Sequence, residues 1–419
     1  MLKSMLDLHF IKQNIDLVKN AIVTKNISFD LDQLLELDKV VLHHKRQVET
    51  LQAERNANAK KVPTATSDEK AQLITRGKEI GKEIDALKPA LEEAEKKLQE
   101  LLYRIPNIPS KDAPIGADES FNVEVKKWGT PPTFPFKPLN HLELLQKNNW
   151  GELDKIGQIA GSRSYALKNE LVQIELALLQ MALDKAKKHH FQLISMPSMV
   201  KEQTLFGTGH FPDGRDQVYF IESDNLYLSG TAEVPVNSLH AGEILQEKDL
   251  PLLYGGFSTC FRREAGSAGR DVRGLIRVHQ FYKVEMYVLC KNSEEESAKY
   301  HQLLLNIAEE LLQDLEIPHR IVECCTGDMG VGKFRMFDIE SWVPSEGKYR
   351  ETHSCSSLHD WQARRTGLRY RDTDGTVKFC HTLNNTAIAT PRILVPLLEN
   401  HQRADGTIAL PAKLQAFLK

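Results

Sequence analysis

The sequence predicts an α+β fold, in which an antiparallel β-sheet domain flanked by helices follows a long antiparallel pair of α-helices. Between about residues 31 and 103, apolar residues recur at the spacing of a coiled coil, which predicts two long helices. Beyond residue 110, strand-like segments outnumber helical ones. Several of them follow one another without a helical crossover, which favours an antiparallel sheet over a doubly wound one.

The helical pair is predicted over residues 31–62 and 67–103, joined by a link at residues 63–66. Apolar positions run through Leu34, Leu37 and Val41 in the first helix, and a second series continues to Leu101. Because the link is short, the helices run antiparallel and bury these stripes against each other. Pro89 removes one intrahelical hydrogen bond and predicts a kink or a small break.

Positive charge concentrates near the tip of this helical arm. The net charge of the chain is -3, so any nucleic-acid contact must come from a local patch rather than from bulk electrostatics. A solvated helix face accounts for the same charges just as simply. The cations are Arg55, Lys60, Lys61, Lys70, Arg76, Lys78 and Lys82.

A proline-rich segment over residues 104–138 reads as a linker and divides the chain into an N-terminal domain, 1–110, and a second domain, 111–419. The second domain is predicted to hold helices at 169–190, 295–315 and 393–401. Strands are predicted at 191–197, 226–228, 256–261, 276–288, 335–342 and 377–383.

Composition predicts a soluble, cytoplasmic protein. The N-terminus carries charges throughout, and no apolar run approaches the length of a membrane span. The six cysteines lack paired CxxC spacing. Reduced, buried thiols are therefore expected, and no zinc site.

Residues 327–333 match the spacing of a phosphate loop but do not form a functional one. Its spacing fits, but Phe334 stands where a serine or threonine must hold magnesium. The residues that follow alternate as a strand, whereas this motif needs a helix N-terminus. We therefore reject nucleotide binding of this type.

The most informative segment spans residues 257–285, where two strand-like runs flank a loop rich in small residues. Arginine provides planar, permanently charged forks that grip phosphate and carboxylate oxygens, and Gly266 and Gly269 permit a tight reversal. The arginines in or beside this loop are Arg262, Arg263, Arg270, Arg273 and Arg277.

Residues 261–264 (FRRE) and 277–281 (RVHQF) resemble motif 2 of the class II aminoacyl-tRNA synthetases. The run at 270–277 (RDVRGLIR) narrows the resemblance to the seryl-tRNA synthetases. The helix and strand at 169–197 resemble motif 1, which forms the dimer interface in that family, and residues 382–392 resemble motif 3. The resemblance therefore covers nearly the whole chain and implies a class II antiparallel sheet.

For ATP, the resemblance implies that Arg262 bridges the α-phosphate and the substrate carboxylate. Glu264 accepts from the exocyclic amine of adenine, and Val278 and Phe281 line the purine site. Arg392 would reach the terminal phosphates from the first turn of a helix that begins at Pro391. Arg262 and Arg392 are the expected catalytic residues.

Magnesium is expected on Glu351 and Ser354, which lie in a segment resembling the family's metal-binding strand; hard oxygen ligands suit that ion. Residues 229–233 (SGTAE) resemble the serine-binding strand of the seryl-tRNA synthetases. The expected serine-binding residues are Thr231, Glu233, Arg262, Glu285, Asn384 and Thr386. Many relatives carry glycine or small residues where this chain has the sequence NTA at 385–387, so the local pocket differs there.

The implied chemistry has two steps. The serine carboxylate attacks the α-phosphate of ATP, and the 3′-terminal ribose of tRNA(Ser) then accepts the seryl group; tRNA(Sec), where present, would be a second acceptor. The arm is expected to hold tRNA through Arg55, Lys60, Lys61, Lys70, Arg76 and Lys78, and motif 1 to form a homodimer.

Two alternatives remain at this point. One is a class II homologue that passes an amino acid to a carrier protein, although such homologues lack the arm. The other is a non-catalytic RNA-binding or scaffold protein, which predicts loss of the phosphate-binding residues; Arg262, Glu264, Glu351 and Arg392 are all present.

Overall fold

The computed structural model describes residues 6–266, 269 and 271–418. Arg270 of the arginine-rich segment lies outside the described residues. The chain forms two compact units: the first comprises Met1–Lys19 and Ser28–Ile105, and the second comprises Asn20–Ile27 and Pro106–Lys419.

The first unit is built on two long helices. The N-terminal helices are α1 (Leu8–Gln13) and α2 (Ile15–Thr24), and α2 belongs to the second unit from Asn20 onward. The long pair is α3 (Leu31–Lys61) and α4 (Ser67–Arg104). The side chain of Asp30 caps α3 by accepting the N–H of Gln33, and Thr66 forms a capping box with Glu69 at the start of α4. The predicted coiled-coil arm is confirmed.

The arm buries much of the predicted apolar stripes, while Leu37 and Leu101 are half-buried. Leu34, Val41, Ile80, Ile84 and Leu98 are each at most 4% exposed. Helix α4 continues through Pro89, so the alternative of a break is wrong, and the alternative of a kink stays a prediction. Pro89 is exposed, and the buried stripe residues on both sides of it keep the helix packed against α3.

The second unit contains the remaining elements. Its helices are α5 (His141–Lys147), α6 (Asp154–Ala160), α7 (Glu170–Lys188), α8 (Glu202–Thr208), α9 (Glu233–Ser238), α10 (Glu294–Asp314), α11 (Trp361–Thr366), α12 (Leu394–Asn400) and α13 (Ala412–Gln415). Its strands are β1 (Val123–Trp128), β2 (Gly151–Glu152), β3 (Ala166–Leu167), β4 (Gln192–Ser195), β5 (Met199–Val200), β6 (Tyr219–Ile221), β7 (Leu226–Leu228), β8 (Ile244–Gln246), β9 (Leu252–Phe261), β10 (Gln280–Cys290), β11 (His319–Glu323), β12 (Arg335–Val343), β13 (Lys348–His359), β14 (Arg369–Arg371), β15 (Val377–Phe379) and β16 (His381–Thr390).

One eight-stranded sheet dominates this unit, in the order β1-β11-β12-β13-β16-β10-β9-β4. Every neighbouring pair is antiparallel except β4 and β9, which are parallel. The predicted antiparallel sheet is therefore confirmed. Strand β12 directly follows the phosphate-loop pattern, as the rejection of that motif requires.

Strand β10 separates two environments. Its even-numbered residues Val284, Met286 and Val288 are fully buried in the main hydrophobic core, which also contains residues of α7 and α10. Because side chains alternate along a strand, its odd-numbered residues point to the other face of the sheet. There Tyr287 and Leu289 join a second core that includes residues of α9 and α11, and the preceding odd positions are left to line a cavity.

Two predicted strands need correction. The run predicted at 276–288 begins only at Gln280, after a loop, and the run predicted at 377–383 is divided at Cys380 into β15 and β16. All six cysteines are unpaired and buried. Within the described residues, no helix has both the length and the apolar composition needed to cross a membrane.

Candidate active site

The central strands bring the predicted site residues to one face of the sheet. On β10, Phe281, Lys283 and Glu285 alternate onto the cavity face. Lys283 Nζ lies 2.5 Å from Glu285 Oε2, and both side chains are buried. Burial raises the pKa of Glu285, and the ammonium of Lys283 opposes that rise.

Two β-bulges place further side chains on the same face. In the pairing of β12 with β13, Ile339 faces His353 but Glu340 faces Glu351, so β13 carries one extra residue. Glu351 and Ser354, three positions apart, therefore both line the cavity. A second bulge, at Ala387 on β16, likewise brings Thr386 and Ala389 onto the cavity face.

These strands enclose an open cavity with an empty volume of about 870 Å³, its mouth included. Every residue that the sequence predicted for ATP, serine or magnesium lines this cavity. They are Thr231, Glu233, Arg262, Glu264, Val278, Phe281, Glu285, Glu351, Ser354, Asn384, Thr386 and Arg392.

Arg262 follows β9 and has a guanidinium without an ion-pair partner among the described residues. Its guanidinium carbon lies 5.2 Å from the centroid of the Phe281 ring. The backbone N–H of Arg262 donates to the carbonyl of His279 at 3.0 Å, and Gly230 leaves room for its side chain. A Cβ at Gly230 would approach Arg262 Cγ to 3.2 Å.

A chain of ion pairs holds the loop after β9. Arg277 Nη1 donates to Glu264 Oε2 at 3.0 Å, and its Nε lies 3.5 Å from Asp271 Oδ2. Asp271 in turn accepts from Arg350 on β13 at 2.6 Å. Glu264, Asp271, Arg277 and Arg350 thus tie the described part of this loop to the neighbouring strand.

Arg392 lies beside the predicted magnesium ligand. Its Nε donates to the carbonyl of Ile276 at 3.1 Å, and its Nη1 lies 3.5 Å from Glu351 Oε2. The expectation that Pro391 opens a helix with Arg392 in its first turn is wrong. Strand β16 pairs with β10 as far as Thr390, so Pro391 and Arg392 form a turn and α12 begins at Leu394.

Glu233 is the centre of a buried hydrogen-bond network in the cavity wall. Glu233 Oε1 accepts from Gln362 Nε2 at 2.6 Å and from Asn384 Nδ2 at 3.0 Å, and Thr231 Oγ1 accepts the backbone N–H of Glu233 at 3.3 Å. Burial acts to raise the pKa of Glu233, but Lys333, His210 and Gln362 together outweigh it and lower that pKa.

Three titratable residues of the cavity were not predicted from the sequence: His210, Lys283 and Lys333. Burial lowers the pKa of His210 to about 4, so this side chain is neutral at pH 7. Lys333 is the lysine of the rejected phosphate-loop pattern. The spacing of that pattern suggested a nucleotide-binding loop, so its rejection also removed Lys333 from the predicted site. Lys283 was detectable, because it alternates with Phe281 and Glu285 on one strand.

On the arm, the predicted cations fall into two groups. Arg55, Lys60, Lys61, Lys70 and Lys78 are exposed and make no ion pair among the described residues. Arg76 is engaged instead: its guanidinium contacts Glu54 at 2.8 Å and Glu83 at 2.7 Å.

Among the described residues, one group of possible metal ligands lies outside the predicted set. Cys324, Asp328 and Asp338 place their ligand atoms within 4.8 Å of one another. The sequence pointed to no zinc site, and that expectation stays a prediction.

Comparison with known proteins identifies the chain. A family model of the class II tRNA synthetase core domain (G, H, P, S and T) matches residues 219–401, and a model of the seryl-tRNA synthetase N-terminal domain matches residues 5–109. The serine–tRNA ligase of Deinococcus radiodurans is 54% identical over 414 residues, which cover 99% of this chain and 97% of that protein. The chain belongs to the seryl-tRNA synthetase family.

Solved structures agree with this assignment. The seryl-tRNA synthetase of Pyrococcus horikoshii, crystallised with ATP, superimposes with a TM-score of 0.90 at 39% identity and covers 99% of this chain and 98% of its own. The cytoplasmic serine–tRNA ligase of Naegleria fowleri, in complex with AMP, gives 0.84 at 26% identity, with coverages of 97% and 94%. As a seryl-tRNA synthetase, the chain is an aminoacyl-tRNA ligase with a class II core.

Proposed function

We propose that the cavity on the central sheet activates L-serine and that the exposed cations of the arm bind tRNA. The overall reaction, ligation of serine to tRNA with conversion of ATP to AMP and pyrophosphate, follows from the family. The observation that carries the assignment to this cavity is that every predicted ATP, serine and magnesium residue lines it.

In the first step, a carboxylate oxygen of serine attacks the α-phosphorus of ATP. The bond from that phosphorus to the bridging oxygen breaks, and pyrophosphate leaves. Arg262 bridges the two reacting anions, and its guanidinium suits this role because no carboxylate of the described residues neutralises it. No side chain needs to act as a nucleophile, so positioning and charge neutralisation carry the step.

ATP binds through four further residues. Phe281 and Val278 are buried side chains of the cavity wall and offer an apolar surface to the purine. Glu264, held by Arg277, accepts from the exocyclic amine. Arg392 contacts the terminal phosphates, with its guanidinium oriented by the Ile276 carbonyl and by Glu351.

Glu351 and Ser354 would hold magnesium. The bulge in β13 puts one carboxylate and one hydroxyl on the same cavity face, and both are the hard oxygen donors that this ion prefers. When bound, the ion would neutralise phosphate charge during activation.

The serine site comprises the buried residues Thr231, Glu233, Glu285, Asn384 and Thr386. Glu285 faces Thr386 directly across the β10–β16 ladder, so a carboxylate and a hydroxyl are presented side by side to the hydroxyl of serine. Alanine lacks that hydroxyl and would leave these buried groups without a partner, which is the physical basis for rejecting it.

In the second step, the 3′-terminal ribose hydroxyl of tRNA attacks the seryl carbonyl, and AMP leaves. The acceptor is tRNA(Ser), with tRNA(Sec) as a second acceptor where it is present. Arg55, Lys60, Lys61, Lys70 and Lys78 support an RNA-binding role for the arm, because each is exposed and makes no ion pair among the described residues.

The enzyme acts as a homodimer through the motif 1 region. Helix α7 exposes Leu176 by 60% and Val172 by 38%, and Leu193 on the edge strand β4 is exposed by 40%. An apolar helix face beside an edge strand favours contact with a second copy. The unpaired cysteines fit a reducing compartment, and we assign the enzyme to the cytoplasm.

The test is amino-acid-dependent ATP–pyrophosphate exchange measured with each standard amino acid in turn. Serine should support exchange far above every other amino acid. A different preferred amino acid would overturn the assignment of the serine site, and exchange without any charging of tRNA(Ser) would overturn the role of the arm.

A further inference from the structure

Most charged side chains of the cavity form ion pairs, either with one another or with Arg277 beside it. The pairs are Lys283–Glu285 at 2.5 Å, Glu264–Arg277 at 3.0 Å and Glu351–Arg392 at 3.5 Å. Among the described residues, Glu233, Lys333 and Arg262 are the charged groups of this cavity that form no ion pair. Arg262 has an assigned role toward the substrates, which leaves Glu233 and Lys333 to be explained.

The loop that carries Lys333 is fixed by a second, buried lysine. Lys25 is only 3% exposed, and its ammonium donates to three carbonyl oxygens, those of Gly330 at 3.0 Å, Val331 at 3.0 Å and Lys333 at 2.6 Å. All three donors of the ammonium are therefore satisfied by one short loop. Such a contact holds the backbone that presents the Lys333 side chain to the cavity.

Glu233 is a buried carboxylate of the cavity that the ammonium of Lys333 can stabilise. It is only 8% exposed, and the amides of Gln362 and Asn384 both donate to the same oxygen, Oε1. No hydrogen bond to Oε2 is found among the described residues, so this oxygen remains available to a ligand. A buried carboxylate is stable in its charged form only when nearby charge compensates for the loss of water.

We propose that Lys333 is a positioning residue of the serine site: its ammonium keeps Glu233 an ionised carboxylate that receives the substrate, and Lys25 fixes the loop that presents Lys333. This inference rests on the proposed function, since it deepens the role of the same site. The electrostatics agree with the geometry, because Lys333 is the charged neighbour that most lowers the pKa of Glu233.

The pH dependence follows from the groups that face Glu233 from each packed element. Lys333 and Lys283 favour its charged form, and Glu285 disfavours it. His210, whose pKa is lowered to about 4, is neutral at pH 7 and favours the charged form of Glu233 only once it is itself protonated. The neutral neighbours are Gln362, Asn384 and Tyr287. Removing the ammonium of Lys333 raises the pKa of Glu233, so the carboxylate is lost at a higher pH as the solution is acidified.

The experiment compares the full-length enzyme with Lys333→Met, Lys333→Arg and Lys25→Met in serine-dependent pyrophosphate exchange between about pH 4 and 9, because the pKa of Glu233 lies below its ordinary value. Lys248→Met, an exposed lysine without an ion pair among the described residues, is the matched control. Lys333→Met should move the acid limb of kcat/KM for serine up by about one pH unit, which raises the KM for serine about tenfold on the acid side of the limb, and should leave the KM for ATP within about twofold.

Lys333→Arg should restore the position of the acid limb, because it restores the charge. Lys25→Met should shift the limb in the same direction by a smaller amount; if it does not fold, Lys333→Met alone carries the test. In a Glu233→Gln background, Lys333→Met should cause no further change in the KM for serine, because the group through which Lys333 acts is gone.

Three results would overturn the inference: an unmoved acid limb in Lys333→Met, a rise in the KM for ATP in place of serine, or additive effects of Lys333→Met and Glu233→Gln. Failure of the proposed function is distinguishable, because the parent enzyme would then show no serine-dependent exchange before any substitution. If the parent is active and Lys333→Met behaves like Lys248→Met, the inference on Lys333 is wrong and the proposed function stands.

Discussion

The arm offers a matched pair of perturbations that separates tRNA contacts from internal ion pairs. Lys60, Lys61 and Lys70 are exposed and make no ion pair among the described residues, whereas Arg76 is bound to Glu54 and Glu83. We predict that the triple glutamine variant of the three lysines weakens tRNA binding and flattens its salt dependence. Arg76→Gln should leave the salt dependence close to that of the parent.

The magnitude follows from counterion release. Each phosphate contact contributes a slope of roughly 0.7 to 0.9 to the fall of log affinity with log salt. Loss of three contacts therefore lowers the slope by about 2 to 3. Raising the salt from about 50 to about 200 mM lowers the affinity of both proteins. The factor by which the parent loses affinity should be about 20 to 40 times the factor for the variant.

The assay is equilibrium binding of tRNA(Ser) at several salt concentrations, with serine and ATP kinetics measured on the same preparations. Serine-dependent exchange should not change in either variant. An unchanged slope in the lysine variant would show that the tip is solvated surface, because exposed charges without a partner contribute little. A loss of about 0.7 to 0.9 in the slope of Arg76→Gln, the value for one phosphate contact, would refute the assignment of Arg76 to its carboxylate partners.

Three further predictions concern the arm, the core and the dimer. Replacing residues 29–104 with a short linker should preserve serine-dependent exchange and abolish tRNA charging, because the long helices form their own core; retained charging at sub-saturating tRNA would contradict this. Gly209→Ala should lower the free energy of unfolding by about 2 to 4 kcal/mol, since φ is +83° and a Cβ would lie 2.3 Å from the Trp361 ring. Gly242→Ala, with the same φ but open space, should cost about 1 kcal/mol in urea denaturation; equal costs would refute the clash. Leu176→Lys should shift sedimentation toward the monomer, and an unchanged species would place the dimer contact elsewhere.

The parts of the structure that depend on local pattern were predictable from the sequence. The arm follows from a heptad stripe, the caps at Asp30 and Thr66 lie beside it in the chain, and the short link fixes the direction of the second helix. The ion pairs of Arg76 were not predictable, because Glu54 faces it only once the register between α3 and α4 is known.

The candidate site shows the same division. Alternation along β10 predicts that Phe281 and Glu285 share a face, but the bulges that align Glu351 with Ser354 and Thr386 with Ala389 arise from pairing between distant strands. Lys333 reaches the cavity on a loop held by Lys25, about 300 residues away in sequence, and no local pattern encodes that contact. The turn at Pro391 was missed for a related reason, since sheet pairing extends β16 to Thr390.

The central claim is that this cavity activates serine, and Arg262→Ala measured against Arg263→Ala tests it most directly. Both arginines are exposed and adjacent, but of the two only Arg262 lines the cavity. Serine-dependent pyrophosphate exchange should fall about a hundredfold or more in Arg262→Ala, because several kcal/mol of transition-state stabilisation are lost, with an unchanged circular dichroism spectrum and melting temperature. Arg263→Ala should stay within about threefold of the parent, or under about 1 kcal/mol. An Arg262→Ala enzyme that also stays within about threefold would contradict the account.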